Sequence, residues 1–151
     1  LNPIKSIKSL CREYYSIKAN ITEVKNQLHA KNYSHKPDKL TKFEFELIKK
    51  HCEAGYNIIR NITDSDRVCN GVLLHHEKWD GTGYPQGLKG KDIPLFARVI
   101  SIVDTYDAMT NDRVYRKAIS HEDSIKEILS CSGTQFDPKV VKAFIKACFP
   151  K

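Results

Sequence analysis

The chain has 151 residues, with 25 lysines and arginines against 18 aspartates and glutamates, which gives a formal net charge of +7. A hydrophobic fraction of 40% with 28% charged residues is enough to bury a core, so wholesale disorder, collagen-like repeats and a disulfide-dense miniprotein are excluded. The longest uncharged apolar runs are far shorter than the ~20 residues of a transmembrane helix. Neither a membrane span nor a signal peptide is therefore expected.

The cysteines are odd in number, widely scattered and never arranged as C-x-x-C: Cys11, Cys52, Cys69, Cys131 and Cys148. This pattern argues against a disulfide framework and against a structural zinc knuckle, and it favours a reducing, cytoplasmic location. The positive excess would suit an anionic partner, but the lysines are spread along the chain. Spread lysines are typical of a solvated surface, so DNA or RNA binding is not expected.

The first segment, residues 1–35, is lysine-rich and has apolar residues at three- and four-residue spacing, which predicts an amphipathic helix. A turn at residues 36–40 separates it from the second segment, residues 36–151, which we expect to form the main helical domain. Thr41 and Glu44 have the spacing of a capping box, which predicts a helix start that continues to about Ile62.

Asp64 or Ser65 can cap a third helix that ends near His76. Trp79 to Pro94 is rich in glycine and proline and predicts one long ordered loop. The apolar stretch from Ile93 to Met109 predicts a buried helix. Two further helices are predicted from a capped start at Ser120 and from Pro138 at a first helical position after Asp137. Together, these elements predict an all-α domain of about six helices.

Several side chains in this pattern could carry chemistry. His75 and His76 point about 100° apart on a helix, so they share a site only if neighbouring elements wrap around that end. Asp104 lies inside an apolar run and needs a cation, either a metal or an arginine such as Arg98 or Arg113. His51 is a lone helical histidine, for which a structural role and a ligand role are both open. Nitrogen and oxygen donors of this kind suit Mn, Fe, Ni or Zn.

A basic stretch follows Asp104, with Arg113, Arg116 and Lys117 close together in sequence. A planar guanidinium matches a phosphate through two hydrogen bonds. The spacing alone fits a solvated basic turn equally well.

The segment from His75 to Pro85, HHEKWDGTGYP, closely resembles the signature of the HD-GYP domains. These are a bacterial branch of the HD metal-dependent phosphohydrolases that hydrolyse cyclic di-GMP. The resemblance continues through residues 87–118 and 133–138, and upstream through residues 36–41 and 51–55. It implies a single HD-like helical bundle with one long glycine- and proline-rich loop, and a divalent metal such as Fe or Mn.

The resemblance also implies roles for individual residues. It implies metal ligands at His51, His75, His76 and Asp104. It implies that the loop at Gly83 and Tyr84 meets a guanine base, and that Arg113 and Arg116 grip the phosphates of cyclic di-GMP or a related dinucleotide. A glycine permits close backbone approach, and an aromatic face stacks on a base.

One part of the family pattern is missing, because the chain contains no His-Asp pair. The dyad would fall near Thr22 and Glu23, and Asp38 replaces a turn glycine of the family. His29 and His35 lie nearby as substitute donors. The sequence therefore predicts a degenerate HD-GYP domain with lost or impaired hydrolysis, and with or without a metal. Such a domain would bind a nucleotide or other signalling proteins. The alternative is an active cyclic-dinucleotide phosphodiesterase with a substitute ligand set.

Overall fold

The computed structural model describes residues 42–112 and 117–148. These residues form five α-helices: α1 (Lys42–Arg60), α2 (Asp66–Leu74), α3 (Leu95–Thr110), α4 (His121–Ser130) and α5 (Pro138–Cys148). The described part contains no strand, only an isolated bridge between Ser132 and Phe136. The predicted all-α fold is confirmed. The predicted helix and turn over residues 1–40 lie outside the described residues.

The starts of two helices agree with their local signals. Ser120 caps α4, since its side chain accepts a hydrogen bond from the backbone N–H of Asp123 at 3.1 Å. Pro138 is the first residue of α5, where its missing N–H leaves no intrahelical bond unmade. Ser65 occupies the capping position of α2, but its side chain makes no capping hydrogen bond. Thr41 of the predicted capping box lies outside the described residues.

Two helix boundaries differ from the sequence prediction. Helix α2 ends at Leu74 rather than near His76, so the two histidines lie at and just beyond its carboxyl end. Helix α3 begins at Leu95 rather than at Ile93, because Pro94 has an extended backbone and occupies the capping position. The first difference matters most, because residues beyond a helix end are not bound to the 100° helical spacing.

Helix α3 is the central element of the described part. It packs against α2 on one side and against α4 and α5 on the other, while α1 packs against α2. A Cβ atom added at Gly71 of α2 would lie 2.6 Å from the ring of Phe96, so only glycine permits this close approach of α2 to α3. None of the described helices is long and apolar enough to cross a membrane.

The buried apolar side chains form separate clusters on the two sides of α3. The cluster shared by α3, α4 and α5 contains Ile102, Met109, Ile128, Phe136, Val140 and Val141. The cluster between α1 and α2 contains Ile59, Val68, Cys69 and Val72. A smaller cluster of Leu74, Ile93 and Ala97 lies where the loop between α2 and α3 begins and ends. Burial of these groups fixes both ends of that loop.

The loop between α2 and α3 contains one short 3₁₀ turn, Gly90–Asp92. It is attached to the turn between α4 and α5 by two backbone hydrogen bonds. The N–H of Trp79 donates to the carbonyl of Gln135 at 3.0 Å, and the N–H of Asp80 donates to that of Thr134 at 2.9 Å. The loop is thus bound to the core along its length and has a defined conformation.

A buried ion pair joins the same two regions. Arg98 of α3 contacts Asp137 at 2.5 Å, and the Asp137 side chain is only 3% exposed. The other carboxylate oxygen of Asp137 accepts the N–H of Lys139 at 2.8 Å, in the first turn of α5. Arg98 was one of two arginines that the sequence offered as partners for Asp104. The partner that the structure gives Arg98 is Asp137, and an arginine partner for Asp104 stays a prediction.

Replacing Asp137 with Ala should leave a buried guanidinium without its carboxylate and remove a hydrogen bond at the start of α5. We expect the free energy of unfolding to fall by about 3–5 kcal/mol, as measured by urea denaturation. The control is Lys126→Ala, which breaks the exposed ion pair between Lys126 and Asp123. That variant should unfold at an unchanged urea concentration. Equal midpoints for the two variants would contradict a stabilising role for the Arg98–Asp137 pair.

Candidate functional site

Three histidine rings meet between the middle of α1 and the carboxyl end of α2. The ring centroids of His75 and His76 are 4.1 Å apart, and those of His51 and His76 are 4.9 Å apart. The Nε2 atoms of His51 and His76 lie 3.1 Å from each other. The end of α2 at Leu74 lets both adjacent histidines face the same side of α1. The structure thus brings together three of the four predicted metal ligands.

Backbone contacts favour one tautomer for two of these rings. The Nδ1 atom of His51 contacts the carbonyl oxygen of Ile48, and the Nδ1 atom of His75 contacts that of Val72 at 2.7 Å. A carbonyl can only accept, so each Nδ1 carries the proton and each Nε2 keeps its lone pair. Histidines that bind metals commonly hold their second nitrogen in this way, which fixes the ring orientation.

A fourth donor in the cluster is Cys52, which the sequence analysis had set aside with the other unpaired cysteines. Its side chain is completely buried, and its Sγ atom lies 3.6 Å from Nε2 of His51. One donor atom from each of His51, Cys52, His75 and His76 can be chosen so that all four lie within 4.8 Å of one another. The only signal for Cys52 in the sequence was its position directly after His51.

The spacing of these four donors fits a transition-metal ion. Metal–nitrogen bonds of about 2.1 Å place two neighbouring ligand nitrogens about 3.0–3.4 Å apart. The separation of the Nε2 atoms of His51 and His76, 3.1 Å, falls in this range. In a tetrahedral site, ligand atoms lie about 3.4–3.6 Å apart, so a pair separated by 4.8 Å would approach by about 1 Å when a metal binds. Imidazole and thiol donors suit Zn, Co or Fe better than Ca or Mg.

Asp104, the fourth predicted ligand, is half-buried in the middle of α3. It is not one of the four donors that lie within 4.8 Å of one another. Its charge nevertheless acts at the site, since it contributes to the raised pKa of the Tyr84 phenol. Its role as a ligand stays a prediction.

The loop at Gly83 is pressed against the backbone that carries the histidines. A Cβ atom added at Gly83 would lie 2.3 Å from the backbone nitrogen of Lys78 and 2.6 Å from the carbonyl oxygen of His76. The next residue, Tyr84, donates its backbone N–H to that same carbonyl at 3.2 Å. No side chain larger than hydrogen fits at position 83, which explains the glycine without any ligand. Close approach to a base stays a further prediction.

The Tyr84 ring lies beside the histidine cluster. Its centroid is 4.9 Å from that of His76, with the two planes inclined by 33°. The ring of Phe45 meets it edge-on at 6.0 Å, and Nζ of Lys49 is 5.8 Å from its centroid. Burial, followed by the nearby Cys52 and Asp104, raises the pKa of the Tyr84 phenol above its ordinary value. The phenol is therefore neutral at pH 7, and the ring offers an aromatic face next to the cluster.

Basic groups that grip the dinucleotide phosphates were predicted at Arg113 and Arg116, and both lie outside the described residues. The structure brings a different cation to the Tyr84 ring, Lys49 of α1, whose Nζ also contacts Glu46 at 2.7 Å. Sequence reasoning missed Lys49 because it is one of many dispersed lysines. Only the packing of α1 against the loop distinguishes it from the others.

Glu77 is a second residue that the sequence analysis missed. Its side chain is buried, and its carboxylate accepts three backbone N–H groups of the loop, from Gln86 at 2.6 Å, Gly87 at 3.1 Å and Leu88 at 3.0 Å. A buried carboxylate needs such partners, and three charge-assisted hydrogen bonds provide them. Glu77 therefore closes the loop around Gly83 and Tyr84.

Comparison with known proteins identifies the family of this chain. A family model described as "HD domain" matches residues 26–140. The chain belongs to the HD domain family. The predicted resemblance to the cyclic di-GMP phosphodiesterases of this family is also confirmed by its relatives. A probable cyclic di-GMP phosphodiesterase of Vibrio cholerae is 42% identical over 73% of this chain. A cyclic di-GMP phosphodiesterase of Thermotoga maritima is 40% identical over 74%.

A solved structure has a similar fold. The crystal structure of a cyclic GMP-AMP specific phosphodiesterase of Vibrio cholerae superposes with a TM-score of 0.61 over 81% of this chain, at 26% identity. The chain spans 27% and 31% of the lengths of the two curated relatives, and 31% of the solved chain. The similarity therefore concerns this domain and leaves most of each relative unmatched.

Replacing Gly83 with Ala should force the loop away from the backbone of residues 76–78. We expect the free energy of unfolding to fall by about 2 kcal/mol or more, measured by urea denaturation. The matched control is Gly90→Ala in the same loop, where an added Cβ meets nothing within 4 Å and only the positive φ of 56° opposes it. That variant should lose about 1 kcal/mol. A smaller loss for Gly83→Ala than for Gly90→Ala would contradict the close packing.

Replacing Glu77 with Gln should place an NH₂ group against at least one loop N–H, where an acceptor is needed. We expect a loss of about 1–3 kcal/mol in local stability, seen as faster hydrogen exchange of the amides of residues 86–88. The control is Glu53→Gln on the exposed face of α1, for which exchange in the loop should not change. Unchanged exchange at residues 86–88 in Glu77→Gln would exclude the carboxylate as the anchor.

Proposed function

We propose that this domain binds a divalent metal and a cyclic dinucleotide, cyclic di-GMP or a close relative of it, with little or no hydrolysis. The observation that carries the proposal is the grouping of three histidine donors beside the aromatic ring of Tyr84. A metal-binding cluster and a stacking face next to each other provide the two contacts that a nucleotide with bridging phosphates needs.

The metal ligands in this proposal are His51, His75 and His76, with Asp104 as a further candidate. A bound divalent ion would supply positive charge that attracts and polarises a phosphoryl oxygen. Tyr84 stacks on a base, and Lys49 lies close enough to that ring to attract a phosphate. Gly83 keeps the loop against the cluster. Arg113 and Arg116 remain proposed phosphate contacts from the family resemblance.

Loss of hydrolysis is proposed from the sequence, because the chain contains no His-Asp pair. In two-metal hydrolysis, two ions about 3.5–4 Å apart stabilise the attacking and the leaving oxygen. The family's dyad aspartate bridges such ions, and no equivalent pair is available here. A domain that retains one group of ligands without the bridge keeps the means to bind a phosphate but not the means to position the attacking water.

An active phosphodiesterase is the second candidate function, and one observation favours it. Cys52 lies in the donor group and could substitute for a missing ligand of an ion that keeps an open position for water. The curated relatives are named as cyclic di-GMP phosphodiesterases, which makes hydrolysis the reaction to test. A cytoplasmic location is part of either proposal. It is supported by the four cysteines of the described residues, which form no disulfide, as is typical of reducing compartments.

Equilibrium dialysis of labelled cyclic di-GMP against the metal-loaded protein should give a micromolar dissociation constant, corresponding to about −8 kcal/mol. Binding should be lost after metal removal, and chromatography should detect no linear dinucleotide. Tyr84→Ala should weaken binding about 5–150-fold because a base loses its stacking partner. Tyr84→Phe is the control, since it keeps the aromatic face and should bind like the wild type.

Each other outcome has a distinct meaning. Metal-dependent formation of linear dinucleotide would replace the proposal with the active phosphodiesterase. A metal-loaded protein that binds neither cyclic di-GMP nor cyclic GMP-AMP would refute nucleotide binding and leave a protein-interaction module. Equal weakening by Tyr84→Phe and Tyr84→Ala would indicate that the hydroxyl, rather than the ring face, makes the contact.

A further inference from the structure

The strongest unassigned feature of the molecule is the thiol of Cys52. It is completely buried, yet it lies in a polar cluster rather than in an apolar one. Its Sγ atom is 3.6 Å from Nε2 of His51, the nitrogen that keeps its lone pair for a metal. Buried cysteines usually behave as small apolar side chains, as Cys69 does between α1 and α2.

The position of Cys52 on α1 explains how it reaches the cluster. His51 and Cys52 are adjacent on a helix, so their side chains diverge by about 100°. Both side chains can approach one point in space only if that point lies between the directions in which they leave the helix. The carboxyl end of α2 supplies such a point, because His75 and His76 face α1 there. The four donor atoms then lie within 4.8 Å of one another, close enough to converge on one ion.

We propose that the Cys52 thiolate is the fourth ligand of a single metal ion held by His51, His75 and His76. This inference rests on the proposed metal centre and specifies its chemistry. On binding, the thiol proton passes to solvent and a sulfur–metal bond replaces the sulfur–hydrogen bond. Thiolate and imidazole donors select Zn²⁺ or its analogue Co²⁺ over Mn²⁺. The preferred metal therefore differs from the Mn that the resemblance implies as an alternative to Fe.

Cobalt provides a direct test, because a Co²⁺–thiolate bond gives a sulfur-to-metal charge-transfer band in the near ultraviolet. Wild-type protein stripped of metal and titrated with Co²⁺ should develop this band at one equivalent. Cys52→Ser should lose the band and bind Co²⁺ at least about tenfold more weakly, since even losing an outer-shell partner costs about 10–100-fold. Circular dichroism should show that the variant keeps its helices.

The matched control is Cys69→Ser, which alters an equally buried thiol outside the donor group. The Sγ atom of Cys69 donates to the carbonyl of Thr63 at 3.7 Å, so this variant should keep the full cobalt band. Zinc competition adds a second measurement: Zn²⁺ should displace Co²⁺ from the wild type, whereas Mn²⁺ should not.

The outcomes separate the two proposals. Stoichiometric Co²⁺ binding without the band, or with an equal band in Cys52→Ser, would overturn thiolate ligation while leaving the metal centre in place. No Co²⁺ or Zn²⁺ binding by the wild type would overturn both the thiolate ligand and the proposed metal centre. Loss of the band in Cys69→Ser with retention in Cys52→Ser would identify Cys69 as the sulfur ligand and overturn the proposal for Cys52.

Discussion

The carboxyl end of α2 positions the parts of the candidate site that lie outside α1. Helix α2 stops at Leu74, and the next three residues leave the helical spacing while remaining bound to neighbouring elements. The ring nitrogen of His75 bonds back to the carbonyl of Val72. The carbonyl of His76 accepts the N–H of Tyr84, and the backbone around Lys78 contacts Gly83. The candidate donors His75 and His76 and the loop are therefore fixed by one short stretch of backbone, while α1 contributes His51 and Cys52.

Two buried carboxylates stabilise this arrangement from opposite ends. Glu77 binds three amides of the loop, and Asp137 binds Arg98 at the start of α5. Removing the partner of a buried carboxylate costs several kcal/mol. Neither the loop nor the start of α5 can therefore shift alone without leaving a charge uncompensated. The guanidinium of Arg98 also lies 5.8 Å from the ring centroid of Trp79, which links the ion pair to the loop.

The parts that could be predicted are those determined by neighbouring residues. Ser120 and Pro138 are local signals for a helix start, and both helices begin there. The candidate ligands His75 and His76 were predicted from one contiguous motif and its resemblance to a family. In contrast, the partner of Arg98 is 39 residues away, and the burial of Cys52 depends on how α1 packs against α2. Contacts between distant residues depend on tertiary packing, which leaves no local pattern in sequence.

Together, the two proposals give a physical reason why the domain would bind a dinucleotide without hydrolysing it. Catalytic zinc sites keep an open position for water, whereas sites with four protein ligands are closed. With Cys52 as the fourth donor, the ion has no position for an attacking water, which agrees with the missing His-Asp pair. Three neutral imidazoles and one thiolate leave a divalent site with a net charge of about +1, so it still attracts phosphate. Because the ring of His76 is 4.9 Å from that of Tyr84, occupation of the site would also orient the stacking face. Under the two proposals, the metal would position the dinucleotide and would not activate water.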